Sequence, residues 1–359
     1  YEFLNPDAQR KFLELLNELR RAMANSFFNN VENMVNNLSD GDIERMKEMV
    51  QALNDMLVKK IAGEDPGFDE FMDKFGDMFG DNPPQSGDVR AFPFPELYRP
   101  LEEGLSEDEL SDAYVARVAA AIASLKAEGT GFAALVMCSI FANEGPPEIP
   151  AGFMAKVTEL AHREGGLVIA DEVQSGYGRT GCWWGYEKTD FLPDIVVTGK
   201  PMGNGLPISA TAAKKDLVDA FRAEKDYFNT CAASPLQAAV GMAVLDEIER
   251  LDLVRHAADV GDRLTRKLKD RAADYDVIGD ARGYGLFLGV EMVKDSASKK
   301  PDMDLTLALS DRLKDKGFLT SYSGKYNNVL KIRPPLVFSH EDADAFLAAF
   351  DKCMGEMHG

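Results

Sequence analysis

From about residue 110 onward, segments with apolar residues at helical spacing alternate with short β-branched runs. "DAYVARVAAAIASLKAEG" predicts a helix ending at Gly129, and "AGFMAKVTELAHREGG" a second ending at Gly165. "FAALVMCS", "LVIADE", "DIVVTG" and "ISATAA" predict strands. Strand–helix–strand alternation predicts an α/β fold with a mostly parallel sheet and flanking helices. Residues 1–86 follow another pattern. Ile43, Met46, Val50, Leu53, Leu57 and Ile61 form one helical stripe, with Ser39 and Asp42 as a capping signal before it. An earlier helix is predicted from about Asp7 to Ala24. This part reads as a separate α-helical segment, a small bundle or a docking arm.

Composition narrows the class. The chain has 359 residues, 45% of them apolar and 28% charged, as in ordinary globular proteins. A formal net charge of -20 argues against nucleic acid or an anionic membrane as partner. The apolar run "FAALVMCSIFA" is too short to span a bilayer. Cys138, Cys182, Cys231 and Cys353 are widely spaced, which argues against a disulfide framework or a zinc site. With no signal-peptide pattern at the start, the expected compartment is the cytoplasm. The acidic stretch "EDPGFDEFMDKFGDMFGDNPP" lacks the ligand spacing of a calcium-binding loop. His162, His256, His340 and His358 share no metal-ligand spacing and are expected at the surface.

Two charges stand at strand ends. Asp171 closes "LVIAD", and Lys200 follows "DIVVTG", just before the turn-rich "PMGNG". In open α/β sheets, ligands bind beyond the carboxyl ends of the strands. A partly desolvated lysine amine forms Schiff bases with carbonyls. An aspartate suits the protonated ring nitrogen of pyridoxal phosphate (PLP), which then acts as an electron sink. A solvated loop lysine and a helix-capping aspartate explain the same two residues without a cofactor.

The motifs "LVIADEVQSGYGRTG", "PDIVVTGKPMGNGLPI", "YFNT" and "LKIRPPL", in this order, resemble those of the class III aminotransferases, PLP enzymes of fold type I. The resemblance covers about residues 88–359. It implies a partial large domain over 87–243 and a small α+β domain over 244–359. "PLQAAVGMAVLDEIERLDLVRHAADVGDRLTRKLKD" would be one long helix leading into that small domain, and "VIGDARGYGLFLGVEMV" would supply its strands. "TLALSDRLKDKG" and "HEDADAFLAAFDKCMGEM" would be its helices. The resemblance also implies roles. Lys200 would carry the Schiff base and shuttle the proton, Asp171 would pair with the pyridine nitrogen, Val173 would pack on the ring, and Gln174 would lie near the ring oxygen. Thr230 would reach the cofactor phosphate of the neighbouring subunit, making the active unit a homodimer. Arg333 would bind the substrate carboxylate. The implied reaction moves an amino group between an amine or amino acid and a 2-oxo acid. "GKPMGNG", "YFNT" and "SIFANEG" are also similar to the phospholyase-like branch, whose members are PLP lyases.

The chain departs from that family in three places. The segment that supplies the first strands, the phosphate-cradling turn and a ring-stacking aromatic residue is absent before "VRAFPFPELYRP". "YEFLNPDAQRKF", "MVQALNDML" and "GFDEFMDKFGDMF" instead resemble the helical region preceding the von Willebrand type A domain in a family of bacterial proteins. A glutamate that many members carry falls at Cys138, followed by Ser139, and "CAAS" replaces a Gly-Gly-Asn run after "FNT". An incomplete large domain is expected to leave a sheet edge and apolar surface open. Two readings follow: an enzyme of this family, or an inactive chimeric or structural chain joined from two genes near Ser86–Asp88.

Overall fold

The computed structural model describes residues 89–225, 227 and 234–358, with positions 48, 52 and 74 before them. The expectations for the N-terminal helices therefore lie outside the described residues. The chain divides at Asp88/Val89, and the unit that follows carries two four-stranded sheets.

The first sheet has the order β1-β2-β3-β4 (Ala134–Cys138, Leu167–Asp171, Ile195–Thr198, Ala210–Ala213). β1, β2 and β3 are parallel, and β4 closes the sheet as an antiparallel edge strand. All four predicted strands form. Helix α1 (Glu107–Ala127) starts earlier than the apolar pattern indicates, because Ser106 and Glu109 make a reciprocal capping box ahead of it. Its buried face, Leu110, Tyr114, Val118, Ile122 and Leu125, recurs at three- and four-residue steps. Helix α2 (Phe153–Arg163) packs beside it, with the Phe153 and Tyr114 rings 6.2 Å apart, edge to face. These two helices cover one side of the sheet. The other side is open: Val136, in the middle of β1, is 61% exposed. Three of the four β4 residues are exposed, and α3 (Lys215–Glu224) buries none of its residues.

The expected long helix is two helices. α4 (Pro235–Arg250) and α5 (Leu253–Arg271) are separated by Asp252, whose φ of 50° puts it in the left-handed region. Aspartate tolerates that conformation better than most residues. The break lets α5 turn Leu253, Ala257, Val260, Leu264 and Leu268 inward, whereas α4 buries Ile248 alone.

The second sheet is antiparallel, in the order β5-β6-β8-β7 (Ile278–Tyr284, Phe287–Met292, Val329–Ile332, Ser321–Ser323). α5, α6 (Met303–Asp315) and α7 (His340–His358) pack on it around a continuous apolar core that includes Leu264, Leu309, Phe346 and Phe350. Every residue of β6 is buried. The tight β5–β6 turn touches the loop after β2. A Cβ on Gly285 would stand 2.5 Å from the carbonyl carbon of Thr180, and the Leu286 N–H donates to Arg179 O at 2.9 Å. This contact holds the second sheet against the strand ends of the first.

Candidate active site

Parallel register brings the carboxyl ends of β1, β2 and β3 together: Cys138 pairs with Asp171, and Asp171 with Val197. The Asp171 carboxylate accepts one hydrogen bond, from the Val173 N–H to Oδ1 at 3.0 Å. Its second oxygen accepts none from the described residues. Lys200 lies two residues beyond β3, with an exposed side chain and no carboxylate within ion-pair reach among the described residues. The turn carries Asn204 and Gly205 at φ 43° and 114°. Only glycine, and less readily asparagine, enters that region at low cost.

Glu172 holds this strand end in place. It is fully buried and accepts from Ser175 Oγ at 2.9 Å, Gly185 N at 2.7 Å and Tyr186 N at 2.9 Å, and also from Ser139 Oγ. A buried carboxylate is tolerated when its lone pairs are matched in this way. Ser139 follows Cys138, where the family's glutamate was expected. Burial pushes the Cys138 thiol up to about 11, so it stays protonated at neutral pH.

The second sheet supplies the facing groups. Lys331 and Arg333 are two residues apart at the end of β8, so both side chains leave the same face of the strand. Both donate to Gln174 Oε1, at 3.2 Å and 2.8 Å, while Gln174 Nε2 donates to Asn143 Oδ1 at 3.0 Å. The Lys331 ammonium also lies 5.1 Å from the centre of the Phe287 ring. Its pKa is lowered by burial first, then by the nearby positive charges of Arg333 and Lys200. Arg179 donates to Leu286 O at 3.1 Å and to Pro334 O, and burial with Arg333 nearby brings its guanidinium down to about 10. A cavity of about 760 Å³ opens beside Lys200 and Arg179, lined in part by Asn204, Leu206, Val244 and Leu336.

Of the residues singled out in the sequence, Asp171, Val173 and Gln174 follow β2, Lys200 follows β3, and Arg333 reaches Gln174. Thr230 and Cys231 lie outside the described residues. Glu172, Asn143, Arg179 and Lys331 were not singled out. Lys331 had a signal: "LKIR" places two cations at i and i+2 of a strand. His162, His256 and His340 contact Asp194, the Phe338 carbonyl and Asp259, and no group of metal-ligating side chains forms among the described residues. No described helix is long and apolar enough to cross a membrane.

The strand-end residues fit the ring of a PLP molecule. Among the described residues, one Asp171 oxygen and the Lys200 amine have no hydrogen-bond or ion-pair partner, and the Thr198 hydroxyl at the end of β3 is buried without one.

The chain matches the family model for class III aminotransferases over residues 80–354. It is 38% identical over 229 residues to alanine–glyoxylate aminotransferase 2 homolog 2, mitochondrial, of Arabidopsis thaliana, covering 64% of this chain and 48% of that protein. It is 38% identical over 213 residues to ethanolamine-phosphate phospho-lyase homolog 1 of Caenorhabditis elegans, covering 58% and 46%. The chain thus spans about half the length of these relatives. Among solved structures, it superposes on an Arthrobacter phospholyase in complex with phosphoethanolamine with a TM-score of 0.71 at 38% identity, covering 74% of this chain and 63% of that one. An omega transaminase from Pseudomonas jessenii gives 0.69 at 27% identity, covering 79% and 63%. Members of the matched family depend on PLP. Strand-end geometry, a family match over most of the sequence and the structural likeness lead to one conclusion: this chain belongs to the class III aminotransferase family.

Proposed function

We propose that this chain carries the catalytic strand ends of a PLP-dependent aminotransferase, moving an amino group between an amine or amino acid and a 2-oxo acid. One observation carries the reading: the Asp171 carboxylate and the Lys200 amine, neither in an ion pair among the described residues, stand at the ends of adjacent parallel strands, near a cationic pair on the second sheet. When bound, the cofactor supplies an electron sink for the pair left on the substrate carbon as its proton departs. Asp171 would hold the positive charge of the ring nitrogen, and Val173 would pack on the ring. Lys200 would hold the cofactor covalently, then accept and return the substrate proton at Nζ. Arg333 would orient the substrate carboxylate through its guanidinium fork. Gln174 joins the two sheets and sets the Arg333 head against the strand ends. Thr230 is proposed as a phosphate contact across a homodimer, and the cytoplasm as the working compartment.

A phospholyase reading has equal support from the relatives and from the second cation at Lys331. An inactive chimeric or structural chain is the rival from another class, favoured by the open face of the first sheet. Product analysis separates the three. The full chain is incubated with PLP and either alanine plus a 2-oxo acid or phosphoethanolamine. Pyruvate formed in the first mixture supports transamination, and inorganic phosphate released in the second supports elimination. Neither product, or equal product from Lys200→Ala, would remove the enzyme reading of this chain.

A further inference from the structure

The cavity of about 760 Å³ beside Lys200 is not explained by the reaction. Of the residues given a role in it, Lys200 alone lines the cavity, whereas Asp171, Val173, Gln174 and Arg333 do not. The volume is that of a small-molecule site. The walls come largely from α4 and from the turn after β8, and most of them are apolar. Ile248 and Leu253 are buried there, while Leu251 and Val337 are 43% and 58% exposed, so the apolar lining runs from the interior out to solvent. Water in such a space finds few partners.

One charge is set into this apolar wall. Arg179 is part-buried, and only its Nη1 is engaged, donating to Leu286 O at 3.1 Å and to Pro334 O. Its Nε and Nη2 have no hydrogen-bond partner, and its guanidinium no carboxylate, among the described residues. Glu247, the acid on the cavity wall, is engaged by Arg250 at 2.6 Å and 3.1 Å. Other arginines of the unit are matched. Arg282 donates to Glu291 at 2.6 Å, Arg263 to Asp344 at 2.7 Å and 2.8 Å, and Arg271 to Asp351 at 2.5 Å and 2.6 Å. Leaving the donors of a part-buried cation unpaired is costly.

Nε and Nη2 form one edge of the planar guanidinium, and two parallel N–H bonds from that edge match the two oxygens of a carboxylate. An uncharged apolar ligand would leave the edge unpaired, and an anion as small as acetate would leave the apolar walls wet. A ligand that satisfies both has a carboxylate at one end and an apolar body. We infer that this cavity binds such a monocarboxylate, with its carboxylate on the Nε–Nη2 edge of Arg179 and its body against α4 and the turn after β8. The inference is independent of the transamination reading, since it needs neither the cofactor nor Asp171.

The test titrates hexanoate, acetate and hexan-1-ol into the full chain without added PLP, by calorimetry or saturation-transfer NMR. Hexanoate is expected to bind at least about tenfold more tightly than acetate, which lacks the body, and than hexan-1-ol, which lacks the charge. Arg179→Gln should weaken hexanoate binding at least about tenfold and leave hexan-1-ol binding unchanged. Arg179 also holds two carbonyls, so a second variant leaves it in place. Ala243 is exposed and lines the cavity. Ala243→Trp fills the space from the surface of α4, and should abolish binding of both hexanoate and hexan-1-ol without lowering the thermal midpoint. Lys200→Ala should keep hexanoate binding within about threefold, because an exposed charge contributes little. Equal binding of hexanoate and acetate, or hexanoate binding unchanged in either Arg179→Gln or Ala243→Trp, would overturn the proposal. A loss in Lys200→Ala as large as that in Arg179→Gln would overturn the assignment of the carboxylate to Arg179.

Discussion

The two sheets of this unit are built from strands of similar length but differ in how completely they are covered. β6 of the second sheet is buried at every position, and three helices close an apolar core over it. The first sheet has α1 and α2 on one face, while Val136 is exposed in the middle of β1, three of the four β4 residues are exposed and α3 buries no residue. The difference teaches where the fold supports itself. The core of the second sheet is drawn from residues 257–354, and Arg99 and the Gly145 carbonyl add polar contacts from outside that span. The first is half of a layered structure, and the chain spans about half the length of its relatives. The site lies at the junction of the two. Asp171 and Lys200 sit at strand ends of the less covered sheet, and Lys331 and Arg333 at the end of β8 on the well-covered one.

Three predictions test this contrast. The largest effect is expected at Glu291, which is buried and accepts from Arg282, Arg99 and Asn328. Glu291→Ala strands the buried Arg282 guanidinium and should cost about 3–5 kcal/mol in denaturant unfolding. Next comes a matched pair of truncations. Leu264→Ala, in the core of the second sheet, should cost about 2–5 kcal/mol. Val136→Ala, on the open face, should stay within about 0.5 kcal/mol of the parent. Comparable losses at the two positions would show that the open face is covered in solution and would break the comparison.

The smallest effect is electrostatic. Arg263 and Lys267 hold the exposed Asp344 carboxylate down to about 2. A depressed carboxylate contributes stability above its ordinary value and loses it as the pH falls toward the depressed one. Asp344→Asn should therefore lower stability slightly above about pH 4, with the difference from the parent shrinking between about pH 4 and pH 2 and vanishing below. A loss of the same size at pH 2 and at pH 7 would contradict this assignment.

Much of the architecture was legible because periodicity and capping are local. The four strands of the first sheet follow from β-branched runs, and Gly129 and Gly165 mark where α1 and α2 stop. Asp171 and Lys200 could be singled out because a charge closing an apolar strand needs a reason. What escaped depends on tertiary contact. The break at Asp252 has no glycine or proline to announce it, and arises because α5 turns its apolar face onto the second sheet. Glu172 looks like an ordinary acid in sequence, and its donors come from residues 139, 175, 185 and 186. Lys331 lies 157 residues from the glutamine it contacts. No local pattern could show that its ammonium faces the strand ends.

The most direct test of the account asks whether Lys200 is the amine that takes the cofactor. The full chain is mixed with PLP, reduced with borohydride and mapped by peptide mass spectrometry. The account predicts one modified lysine, Lys200, with modification lost in Lys200→Ala and reduced in Asp171→Ala. Labelling spread over surface lysines, or undiminished in Lys200→Ala, would contradict it.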